Sequence, residues 1–157
     1  MDKNNQIIKL VQEGMKVEKE GKIDLTQKIF MKAWNAASND HEKCIAAHFV
    51  ARNQDNPEET LRWNLEALVR AEKASSEEIK SYYPSLYLCI GISYENLKNY
   101  TDAKKYYELA FDKIPDLSKD KENESYNKGV IDNIINRKNN LENKLDPKAS
   151  AEPSETC

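Results

Sequence analysis

Tyr87, Ile90, Gly91 and Tyr94 are spaced i, i+3, i+4 and i+7, which puts all four on one face of a helix. Ala103, Tyr107 and Ala110 repeat that spacing in the segment that follows, and Pro115 closes it. Small residues let two helices approach closely, while the aromatic rings fill the space between helix pairs. A glycine inside a helix costs about 1 kcal/mol relative to alanine. Close packing is its natural compensation, so Gly91 reads as a contact point between helices.

The same period runs along most of the chain. Ile7, Leu10, Val11, Gly14, Met15 and Val17 form a stripe that ends at the turn residue Gly21. Leu25, Ile29, Phe30, Ala33 and Ala37 form a second, with Asp24 as its expected N-cap. Asp40 is the expected cap of a third helix carrying Cys44, Ile45, Ala47, His48, Phe49 and Ala51. The next start is strongly marked: Asn56 as N-cap, Pro57 at the first helical position, and Glu59 at capping-box spacing. That helix carries Leu61, Leu65, Leu68 and Ala71. Ser75 or Ser76 begins another, which Pro84 kinks or splits. A helix from about Tyr100 to Ile114 stops at Pro115, and a last amphipathic helix carries Tyr126, Val130, Ile131, Ile134, Ile135, Leu141 and Leu145. The tail 146–157, "DPKASAEPSETC", has the composition of a disordered end. With four glycines, five prolines and no strand or hairpin signal, the expected class is all-α.

A chain of 157 residues suits one domain with a core of its own. The net charge of -3 is spread along the sequence without a block of Lys and Arg, which disfavours nucleic acid as a partner. Cys44, Cys89 and Cys157 are far apart and odd in number, so no disulfide framework is expected and a cytoplasmic location fits. The polar amino terminus is not expected to act as a signal peptide, Cys157 is not expected to be prenylated, and no apolar run suffices for a membrane span.

Paired helices raise the question of an internal repeat. Ala33 and Ala67 lie 34 residues apart, and Ala67 and Ala110 lie 43 apart. The excess corresponds to "ASSEEIKSY", expected to lengthen a helix and leave the register intact. On Tyr87, Ile90, Gly91, Tyr94, Ala103, Tyr107, Ala110 and Pro115, the stretch 84–115 resembles the tetratricopeptide repeat (TPR) in residue type and spacing. A weaker copy spans about 7–39, where Leu10, Gly14, Phe30 and Ala33 match, Val17 stands in place of Tyr and Thr26 in place of Ala. The weakest spans about 40–74: His48 replaces the glycine, Asn64 replaces the aromatic, and Ala67 is kept. The resemblance implies a right-handed α-solenoid of antiparallel helix pairs within residues 1–145, with a capping helix at about 122–145.

No catalytic or cofactor signature accompanies this pattern. Gly91 follows no strand, and neither G-x-G-x-x-G nor G-x-x-x-x-G-K-[ST] occurs. His41, Cys44 and His48 share one side of a helix, but a metal site needs a fourth ligand and a second shell. The bland reading is a helix-start His, a core Cys and a semi-buried His. With two histidines and no activated nucleophile, an enzyme is the least favoured function.

By helical phase, the resemblance implies a concave groove lined by the first helix of each pair. Val11, Met15, Glu18 and Lys19 come from the first pair, Ile45, Phe49, Arg52 and Asn53 from the second, and Leu88, Ile92, Glu95 and Asn96 from the third. Such a groove suits an extended peptide or an amphipathic helix; the alternative is that the last helix folds back over it. The carboxylate clamp of chaperone-binding members is not expected, because Val11, Met15, Ala46, Ser85 and Cys89 occupy its places. Trp63 either packs in place of the aromatic missing at Asn64 or pairs with Arg62 at an interface. The expectation is a non-catalytic protein-interaction module without cofactor or metal, a monomer or weak homodimer, binding a protein or peptide. A helical sensor with a small ligand in the groove is the alternative.

Overall fold

The structure is a computed structural model and describes residues 1–145 of the 157. The proposed disordered tail, Cys157 included, lies outside the described residues. Among the described residues eight α-helices follow one another: α1 (Gln6–Lys19), α2 (Ile23–Ala36), α3 (Asp40–Val50), α4 (Pro57–Ala74), α5 (Glu77–Lys80), α6 (Tyr83–Asn96), α7 (Tyr100–Asp112) and α8 (Glu124–Leu145). Among the described residues there is no strand, so the chain is all-α.

Helix starts follow local side-chain chemistry, not always at the expected residue. The Asn5 side chain accepts from the Ile7 N–H at 2.7 Å and begins α1. Asp24 does not cap α2; it lies inside the first turn, and the helix opens at Lys22, whose carbonyl takes the Thr26 hydroxyl at 2.9 Å. α3 is capped by Asn39 instead of Asp40, the Asn39 side chain accepting from the Glu42 N–H at 2.9 Å. Asn56 caps α4 through the Glu59 N–H at 2.8 Å, with Pro57 at the start as expected. The Glu59 side chain does not return the bond, because the Arg62 guanidinium holds it at 2.8 Å.

The insert "ASSEEIKSY" does not extend a helix. Ser75 takes a left-handed conformation with φ of 49°, which ends α4, and Ser76 caps the separate turn α5. Pro84 then stands in the first turn of α6, where its missing N–H costs nothing. α7 ends at Asp112, two residues before the expected end, and Pro115 sits in a 3-10 turn at Ile114–Asp116.

The closest packing is sequential: α1 on α2, α3 on α4, α6 on α7, with α2 on α3, α4 on α6 and α7 on α8 joining them. The first and third helix pairs share one contact. Tyr107 is fully buried, and a Cβ placed on Gly91 would stand 2.5 Å from its Cδ1 and Cε1 atoms. Gly14 meets the fully enclosed ring of Phe30 in the same way. Gly91→Ala is expected to destabilise the chain by roughly 1–3 kcal/mol, because overpacking outweighs the gain in helix propensity. In urea unfolding its cost should shrink in a Tyr107→Leu background; equal costs in both would show that the ring is not what the glycine accommodates.

Trp63 is 8% exposed and meets Trp34 edge-to-face at 5.1 Å, so it packs in the core and Arg62 alone is at the surface. Asn64 is also buried, its amide donating to the Ser93 hydroxyl at 3.0 Å across α4 and α6. Glu42, buried near the α2–α3 turn, accepts from the Ser38 N–H at 2.7 Å, the Ser38 hydroxyl at 2.9 Å and the Asn5 amide at 2.8 Å. Those bonds, the Ser38 backbone one foremost, hold its carboxyl below the ordinary value.

Candidate functional site

A cavity of about 800 Å³ opens among α1, α3, the α5 turn, the start of α6 and the approach to α8. Its floor is apolar, with Ile8, Val11, Ile45, Phe49, Tyr82 and Leu86. These positions follow from the helical stripe, since Val11 and Ile45 belong to the core between the first helices. Exposed Glu77, Glu78, Asp116 and Asp120 line its edge, and Met1, Ser85, Ser118, Asn123, Tyr126 and Asn127 also line it. The Ser85 and Tyr126 hydroxyls are 2.6 Å apart and join α6 to α8.

The twelve residues expected to form one groove are divided between several environments. Ile45 and Phe49 line the cavity, Phe49 resting against Phe30 at 5.4 Å. Met15 is half-buried against the cores of the first two pairs. Arg52 and Asn53 do not project freely: both hold Glu18 of α1, the Arg52 guanidinium at 2.8 Å and the Asn53 amide at 2.9 Å. Asn53 also receives the Gln27 amide on its carbonyl. Lys19 and Asn96 are exposed at the ends of α1 and α6.

The last helix covers the third-pair residues. Leu88 is buried with Val130, Ile134 and Leu141 of α8, and Ile92 packs against that cluster. Glu95 accepts from the Tyr107 hydroxyl at 3.1 Å and faces Lys144 at 3.5 Å and Arg137 at 3.8 Å. The open part of the expected groove is therefore its first two pairs, and the cover over the third is α8.

His41, Cys44 and His48 do not converge. His41 Nδ1 lies 3.9 Å from the Glu78 carboxylate, which also takes the Met1 amine at 2.6 Å. Cys44 and His48 border the cavity. Among the described residues, no three His, Cys, Asp or Glu side chains are grouped for a metal ion. Burial pushes the Cys44 thiol up to about 12 and the Cys89 thiol up to about 11, so both are protonated at neutral pH and poor nucleophiles. Burial, with a smaller contribution from Arg52, pushes His48 down to about 4, and its buried Nδ1 has no hydrogen-bond partner among the described residues.

Sequence reasoning missed the far wall of this cavity. The insert supplies Glu77, Glu78 and Ser81, and the connection to α8 supplies Asp116, Ser118 and Asp120. The one signal was the longer interval between Ala67 and Ala110, which marks where extra chain must go but not which way it folds.

The chain matches no protein-family model, no curated protein and no solved structure. Among the described residues, no helix is long and apolar enough to cross a membrane.

Proposed function

We propose that this chain is a small right-handed α-solenoid of tetratricopeptide-like antiparallel helix pairs. It serves as a non-catalytic interaction module that holds a short segment of a partner protein. The recurrence of a small residue on one helix against a buried ring on the next, at Gly14 with Phe30 and Gly91 with Tyr107, supports the repeat reading. The observation that carries the function is the cavity, whose apolar floor is built from the first helices and closed on one side by the insert.

Its size favours a few inserted side chains over a whole helix, since pockets of roughly 300–1,000 Å³ enclose drug-sized ligands. A peptide array probed with the purified chain tests the reading. Phe49→Ala should weaken the peptides found by about 2 kcal/mol, roughly thirtyfold in Kd, as for a buried aromatic anchor. Lys19→Ala, outside the cavity lining, should leave them unchanged. Peptides that bind both variants as they bind the wild type would place binding elsewhere.

The same cavity supports a second reading, a sensor for a small ligand, favoured by its volume and by the His48 Nδ1 on its wall, which has no partner among the described residues. A free small molecule that raises Tm with no protein present would favour the sensor.

A further inference from the structure

We infer that the segment held in the cavity is cationic and amphipathic, pairing large apolar side chains with lysine or arginine; this rests on the interaction-module reading above. Four carboxylates, Glu77, Glu78, Asp116 and Asp120, stand on the cavity's edge against one cation, the Met1 amine, and among the described residues the lining holds no lysine or arginine. Lys119, Lys121 and Lys128 line an adjoining depression of about 520 Å³, which shares Ser118, Asp120 and Asn127 with the cavity. The connection between α7 and α8 thus presents Asp116 to the cavity and Lys119 and Lys121 to the other depression.

Each carboxylate has a partner within the chain itself. Glu77 pairs with Lys80 at 2.7 Å, Glu78 with the Met1 amine at 2.6 Å, Asp116 with Lys113 at 3.8 Å, and Asp120 accepts from the Ser118 hydroxyl at 3.0 Å. The Glu77–Lys80 pair is exposed on both sides, so a guanidinium or ammonium can replace it at little cost, and Glu78 keeps an exposed carboxylate beside the half-enclosed Met1 amine. The neutral state of His48 points the same way. An imidazole that carries no charge above about pH 4, and whose Nδ1 has no partner among the described residues, adds no positive charge to the wall against a cation. An apolar floor beside an acidic edge selects one amphipathic arrangement. Apolar side chains go down onto Val11, Ile45 and Phe49, and the cation is left at the rim, where its charge stays partly hydrated.

Panning a phage-displayed library of random dodecapeptides against the full chain tests this. Enriched clones should combine aromatic or aliphatic residues with lysine or arginine, and their binding should weaken as salt is added. A variant carrying Glu77→Gln, Glu78→Gln, Asp116→Asn and Asp120→Asn should lose about tenfold in affinity for those peptides. A control with Glu13→Gln and Asp24→Asn, outside the lining, should bind them as the wild type does. Circular dichroism should report an unchanged fold for both, since all six positions are exposed. Clones that lack basic residues, bind both variants equally and depend on Phe49 would overturn the charge inference while leaving the docking reading intact. Enrichment with no clone sensitive to Phe49→Ala would overturn both.

Discussion

Trp63→Ala is expected to cost roughly 3–5 kcal/mol of stability, the range for removing a buried large aromatic. For a chain of this size that corresponds to a fall in Tm on the order of 10 °C. The magnitude follows from position. Trp63 lies in the core formed by α2, α3 and α4 with Phe30, Ala47 and Ala67, and its edge contact with Trp34 at 5.1 Å would be lost with it. Trp34 would lose more than one neighbour's worth of order, because Lys43 and Arg70 lie over its ring at 4.2 and 5.6 Å. Arg62→Ala is the matched control. Its guanidinium sits on the outer side of Trp63 at 4.9 Å and pairs with exposed Glu59, so it should cost under about 1 kcal/mol. Chemical denaturation of both variants checks the pair; similar losses would mean that Trp63 contributes as a surface residue does.

The second large effect is a dependence on pH. His48 titrates near 6.5 when unfolded and at about 4 when folded. The folded chain therefore resists protonation more than the unfolded chain does, and stability is complete above about pH 6.5. It falls as the pH drops, because the unfolded state takes up the proton first. The loss between about pH 7 and about pH 4 is on the order of 3 kcal/mol. His48→Leu removes the titration while keeping an apolar body beside Phe49. Urea unfolding of both proteins at the two pH values should show a drop smaller by that amount in the variant. Comparing pH values within each protein cancels any packing change from the substitution, so equal drops would overturn the assignment to His48.

These residues also show what the sequence made legible. The third helix pair could be read residue by residue, because Gly91, Tyr107 and Ala110 meet through spacing that depends only on helix geometry. The start of α4 was equally plain, since a cap is a local arrangement of Asn56 and Pro57. The cap of α3 was displaced because Asn39 and Asp40 are adjacent and of similar N-cap propensity, whereas α2 opens at Lys22 with no side-chain cap at all. The fate of the insert was hidden for another reason. Whether Ser75 continues a helix or turns left-handed is decided by where Ile79 can be buried, and Ile79 is 1% exposed in the core with Leu86. Likewise Glu95 carried no mark in the sequence that Arg137 and Lys144 would reach it from α8, as that pairing depends on how the last helix crosses. Local rules were readable, and the wall of the cavity was set by tertiary path.

The middle pair departs most from the others, and its departure specifies order. Where the first and third pairs set a glycine against a ring, the second sets His48 and Asn64, and Asn64 donates to Ser93 on the next pair. The place of Ser93, two residues beyond the glycine position, is held by Lys16 in the first pair and Val50 in the second. Neither side chain can accept a hydrogen bond. Among such similar helix pairs, a shuffled or skipped stacking would bury the Asn64 amide with no acceptor, at a cost of roughly 1–3 kcal/mol. One polar pair thus acts as an address label, admitting α6 and refusing the other first helices, in a stack whose apolar contacts alone would tolerate several arrangements.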